Sequence, residues 1–153
     1  MIPIKDDNPT KRTCIIRLLI LIICSIVFIF QITSEYNNEY INYFGFKPSS
    51  LFNPYFDLPT FYPVLTIITS MFMHGGWFHF LGNMLYLWVF ADNIEDTIGH
   101  MNFIKFYLLG GIVPALTQYL GNTETVIPMI GASGAIAATL GAYIYLFPKA
   151  KIL

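Results

Sequence analysis

Charge is what this sequence has least of. Only 11% of its 153 residues are Asp, Glu, Lys or Arg, while 56% are hydrophobic. An ordinary soluble domain carries ~25% charged residues, so the composition points to lipid as the solvent. Arg12 and Arg17 are the only arginines, and the net charge is −1. That excludes the basic footprint of a nucleic-acid binder. Cysteine is nearly absent too: Cys14 and Cys24 stand in or beside the first apolar run. Two such residues make neither a disulfide framework nor a zinc site, and read as apolar filler. No cluster of metal-ligand spacing occurs, so no metal or cofactor is expected.

Long apolar runs, by contrast, are plentiful. Residues 1–13 are polar and read as a tail. Residues 14–32 are apolar except for Arg17 and Gln31, close to the ~20 residues that a bilayer core requires. Basic residues precede this run as in a signal peptide, but no small-residue cleavage site follows Phe28, Ile29 and Phe30. A retained anchor is the better reading. Residues 33–63 are broken by Pro48, Pro54, Pro59 and Pro63 and are rich in tyrosine (Tyr36, Tyr40, Tyr43, Tyr55, Tyr62). Aromatic rings settle in the headgroup layer, so this reads as an interfacial loop with short helical pieces. A short interfacial helix is expected over residues 64–73. Further spans are expected at about 77–91, 103–120 and 126–147. The third contains Pro114, which lipid tolerates where a neighbouring helix covers the kink. The fold class is thus an all-α polytopic membrane bundle of about four spans over residues 14–153.

Basic residues beside the spans set orientation. Lys5, Lys11, Arg12 and Arg17 flank the first span, and Lys149 and Lys151 follow the last. Both ends are therefore expected in the cytoplasm. The loop after the second span carries Asp92, Glu95 and Asp96, a mild conflict because acids weigh little in this rule. An N-terminus without a targeting presequence fits a bacterial inner membrane.

That topology gathers polar residues. His79 and Asn83 are four apart near the start of the second span, on one helix face. Ser133 lies about two turns into the fourth apolar run and enters from the same side. Polar side chains at such depth face a protein interior or a wet cavity. Singly, each has an ordinary explanation: a serine bonds its own backbone, a histidine packs, an asparagine joins helices. Gly131 and Gly134 beside the serine change the balance. Glycine permits a tight helix entry and close approach of a substrate, and a helix N-terminus offers free N–H groups to a developing negative charge.

His74, His79 and Asn83, followed by Gly131-Ala132-Ser133-Gly134, resemble the motifs of the rhomboid family of intramembrane serine proteases. The surrounding FMHGGWFHFLGNMLYLWVFADNIED and HMNFIKFYLLGG are similar to the same family, over residues 64–147. The resemblance implies a rhomboid-like fold with Ser133 as catalytic nucleophile. It implies that His79 and Asn83 hold the oxyanion with the Ser133 N–H, that Gly131 and Gly134 frame the nucleophile, and that His74 is structural. A small-residue face at Gly134, Ala138, Gly141 and Ala142 would pack against the helix carrying the general base. The implied partners are membrane-protein substrates and the lipid bilayer.

One element of the pattern is missing. The family's base is a histidine on a sixth helix, yet no histidine follows Ser133 here, and His100 is expected on the opposite membrane face. The chain therefore resembles the N-terminal portion of a rhomboid, four of six core helices, from a truncated gene, a split gene or a partial record. A separate C-terminal segment could supply the base. The Trp-Arg pair found in the first outer loop of some members is also lacking. Three outcomes stand open: an intramembrane endopeptidase once completed, an inactive rhomboid-like protein that binds transmembrane helices, and a non-functional fragment.

Overall fold

The computed structural model describes residues 3–51, 59 and 61–153. Among these, the regular elements are α1 (Ile15–Thr33), α2 (Asn37–Phe44), a 3-10 turn (Pro48–Ser50), α3 (Tyr62–Ser70), α4 (Trp77–Ile98), α5 (His100–Gly121) and α6 (Ser133–Leu146). No strand occurs among the described residues; two isolated bridges do. The expected interfacial loop holds α2 and the 3-10 turn, while Pro54 and Tyr55 lie outside the described residues.

α1 and α5 are each long and apolar enough to cross a membrane. α1 buries one stripe, Ile20, Cys24, Phe28 and Gln31. Its remaining flank, including Ile22, Ile26, Ile29 and Phe30, is exposed. In water such a flank would be an aggregation surface; against acyl chains it costs nothing. α4 matches α5 in length, but its last two turns carry Asp92, Glu95 and Asp96.

These acids, which sit awkwardly in an orientation argument, have structural work. Glu95 is fully buried and accepts from the N–H groups of Ile16 (2.9 Å) and Arg17 (2.7 Å). It thereby caps α1, which has no cap of its own. Asp96 accepts from the N–H groups of Lys11 and Arg12. Arg17 pairs with Asp92 at 3.0 Å and lies over the Trp88 ring. Glu95→Ala leaves two partly buried donors without acceptors. It should therefore cost about 1–3 kcal/mol, read as a lower unfolding midpoint in detergent.

Residues 3–13 are not the free tail that polarity suggests. Asp6 is buried and accepts from Asn93 Nδ2 (2.8 Å) and the Tyr143 hydroxyl (2.6 Å). The chain there bridges to residues near 152. One carboxylate thus ties the N-terminal segment to α4 and α6.

The core lies where α4, α5 and α6 meet, with Leu87, Phe90, Ile94, Phe103, Tyr107, Ala135 and Tyr143 buried together. α5 and α6 approach closely. A β-carbon on Gly134 would stand 3.1 Å from Pro114 Cδ and 3.2 Å from the Gly110 carbonyl, and nearer still to Pro114 Cγ. α5 runs unbroken through Pro114, and α6 covers the proline, as lipid demands. Of the expected small face, Gly134 and Ala138 meet α5, whereas Gly141 opens onto empty space.

Residues 126–132 are apolar enough to read as the start of the fourth span, but they are not helical. Pro128 lacks an N–H, and the segment pairs with the first loop instead: Phe46 and Met129 exchange backbone hydrogen bonds of 3.0 and 2.7 Å. Phe46 is fully buried in this contact. It ties the loop to the segment that leads into α6.

Candidate functional site

The site forms where the N-termini of α4 and α6 come together. Gly131 is the hinge of the arrangement. Its N–H donates to the Ser70 carbonyl at 2.8 Å, and its φ is +119°, a conformation that excludes most side chains. A β-carbon there would lie 2.6 Å from both Cε1 and Nε2 of His79, and 3.7 Å from Asn83 Nδ2. The absent side chain is therefore the space into which the imidazole edge and the carboxamide point. Gly131→Ala should strain the backbone by of order 1–3 kcal/mol and push His79 aside. The check is a lowered unfolding midpoint with a changed His79 NMR environment.

Ser133 is the first residue of α6, not two turns inside a helix as its place in the apolar run suggests. This matters chemically. Ser25, Thr33, Thr97, Thr117 and Thr139 each bond back to the carbonyl four residues earlier, the usual fate of a hydroxyl in a membrane helix. At a helix start no such helical carbonyl exists. Ser133 is exposed, and among the described residues its hydroxyl makes no hydrogen bond. No side chain caps α6 either, so the first N–H groups of the helix remain available.

His79 and Asn83 stand one turn apart on α4. The Gly75 N–H donates to His79 Nδ1 at 3.4 Å. Asn83 is buried, and its Nδ2 has no hydrogen-bond partner. A buried amide donor with no acceptor costs ~1–3 kcal/mol, which an incoming oxygen would recover. His74 is buried, with neither ring nitrogen bonded. Burial, and secondarily the neighbouring His79, holds its imidazole down to about 4. It is neutral at physiological pH and packs edge-on to Phe28 and Phe80. A structural part suits it.

His100 begins α5, at the far end of α4, and contacts Glu95 at 2.5 Å. Twenty-one residues of helical rise separate it from His79, roughly 30 Å. It takes no part in this site. No group of three or more His, Cys, Asp or Glu placed to hold a metal occurs among the described residues.

Depth also bears on the site. α6 has 14 residues, roughly 21 Å of rise, against a hydrocarbon core of ~30 Å. The non-helical approach to Ser133 therefore falls at membrane depth. Such backbone is tolerated only when buried in protein or lining a wet cavity.

Gln31 was legible only as a polar break in an apolar run. It is 2% exposed, and it holds the backbone of His74 from both sides.

Comparison with known proteins identifies the family. The Rhomboid domain family matches residues 63–153. Rhomboid protein 1, mitochondrial, of Saccharomyces cerevisiae is 39% identical over 93 residues, 58% of this chain and 27% of that protein. Presenilin-associated rhomboid-like protein A, mitochondrial, of Danio rerio is 34% identical over 90 residues, 58% and 24%. The human presenilin-associated rhomboid-like protein, mitochondrial, is 33% identical over 88 residues, 56% and 23%. The match spans about a quarter of each relative's length. With its lipid-facing helices and a family match over more than half its length, this chain is an integral membrane protein and belongs to the Rhomboid family.

Proposed function

We propose that this chain carries the nucleophile and oxyanion donors of a serine endopeptidase that cuts a peptide bond in the transmembrane segment of another membrane protein. The observation that carries this reading is the unbonded Ser133 hydroxyl at an uncapped helix start, beside a space bordered by His79 and Asn83. Ser133 Oγ attacks the scissile carbonyl. The oxygen that gains charge is received by the Ser133 N–H, His79 Nε2–H and Asn83 Nδ2–H. The scissile C–N bond then breaks, and the amine leaves with the proton that a base took from Ser133. Water from the outer face, giving its proton to the same base, hydrolyses the acyl-enzyme to the free acid and restores Ser133.

A serine hydroxyl needs a base to take its proton. His100 lies a membrane's width away. His79 is assigned to the oxyanion, and His74 is packed among aromatic rings. We assign the base to a histidine on a helix outside these 153 residues. Exposed small residues, Ser133, Ala137 and Gly141 at four-residue spacing on α6, support close docking of such a helix.

A second reading is a rhomboid-like protein that binds transmembrane helices without cutting them. The two are separated by reconstituting the chain in liposomes with a reporter transmembrane substrate. One arm includes a histidine-bearing partner helix. The protease reading expects cleavage only in that arm. Stable substrate capture with no cleavage in either arm favours the second reading.

The basic flanks of the spans support a cytoplasmic N-terminus, and a bacterial inner membrane is the site to test. The relatives' names are mitochondrial, which supports an organellar membrane instead. Fractionation with protease protection of an N-terminal tag decides between them.

A further inference from the structure

We propose that Gln31 of α1 is a positioning residue for His79: it clamps the turn at residues 74–76, so that the Gly75 N–H fixes the imidazole as its Nε2-protonated tautomer. This rests on the reading of His79 as an oxyanion donor.

Gln31 Oε1 accepts from the His74 N–H at 3.1 Å, and its Nε2 donates to the His74 carbonyl at 3.3 Å. The two ends of the amide are not interchangeable here. A backbone N–H can only donate and a carbonyl only accept, so the network itself orients the side chain. Gln31 Nε2 also reaches Asn37 Oδ1 at 3.3 Å. The clamp therefore joins α1, the start of α2 and the turn before α4.

The next residue in that turn is Gly75, whose N–H points at His79 Nδ1. A donor on Nδ1 means that Nδ1 holds the lone pair and the ring proton sits on Nε2. Nε2 is the atom facing the space left by Gly131. The clamp thus determines whether His79 presents a proton or a lone pair to that space. Only the proton attracts a developing negative charge. At 3.4 Å the Gly75 contact is already long, so a small shift of the turn would release the ring. Burial alone also demands partners for an amide in α1. That demand, however, does not predict any change in His79.

The turn has other support. Phe28 packs on His74, Trp77 and Phe80, so loss of the Gln31 amide need not unfold it.

The test uses the full 153-residue chain in nanodiscs with ¹⁵N-imidazole histidine. Its three histidines are assigned with His74→Phe and His100→Gln. Wild-type His79 should show a single neutral tautomer protonated at Nε2. Gln31→Leu should lose that purity and show both tautomers. Gln31→Glu, which in its neutral form still donates and accepts, should retain the wild-type signature. A wild-type His79 protonated at Nδ1 overturns the proposal, as does a Gln31→Leu spectrum identical to wild type. If Gln31→Leu fails to fold, mixed tautomers in Gln31→Glu overturn it equally. None of these readouts involves cleavage. Absence of protease activity would count against the oxyanion reading and leave this test standing.

Discussion

Ser133→Ala, made in the chain completed by a histidine-bearing helix, should reduce cleavage of a transmembrane reporter by roughly 10⁴- to 10⁶-fold. The hydroxyl is free, and every other hydroxyl noted in these helices is bonded back to its own backbone. Removing a single oxygen from an exposed helix start disturbs no packing, so the folded state should be unchanged by unfolding midpoint. Loss of cleavage without loss of stability is the signature of a nucleophile. Cleavage that persists in Ser133→Ala would falsify the mechanism, wherever the base comes from. The same serine should react with a fluorophosphonate probe only when the base-bearing helix is present, because activation and not exposure makes it nucleophilic.

Asn83→Ala should slow turnover by roughly 10²-fold, the usual cost of one oxyanion donor. Here the argument rests on an unsatisfied atom. Asn83 Nδ2 is buried without a partner in the resting protein, an expensive state unless something is gained later. If that gain comes in the transition state, kcat falls while KM stays nearly constant. The resting fold should in turn lose nothing on truncation, because an unpaired donor is removed. Unchanged turnover with lowered stability would make Asn83 a packing residue instead.

Much of this was legible in the sequence because lipid is a strict solvent. Apolar runs at 14–32 and 103–120 became α1 and α5 with bounds shifted by three residues or fewer. His79 and Asn83 share a helix face by spacing alone, and the structure brings Gly131 between them and Ser133. What escaped the sequence were the places where letters of one kind serve another purpose. Residues 126–132 have the hydropathy of a span, yet Pro128 and the pairing with Phe46 keep them out of the helix. Asp92, Glu95 and Asp96 read as a mark against the topology because their partners are some 80 positions away: the main-chain N–H groups of residues 11, 12, 16 and 17 for Asp96 and Glu95, and the Arg17 guanidinium for Asp92. Gln31 reads as an imperfection for the same reason: its partner is the backbone of His74, 43 residues on. Local patterning reveals faces and depths, but not which distant main-chain groups are left without partners.

The contact of Gly134 with Pro114 sits one residue from Ser133 and nine from Tyr143. α6 is thus held near both ends, by the proline ring beside the serine and by the buried Tyr143 hydroxyl on Asp6. A rod pinned near each end cannot tilt about either one. Jostling by lipids or neighbouring chains is thereby resisted before it reaches the serine.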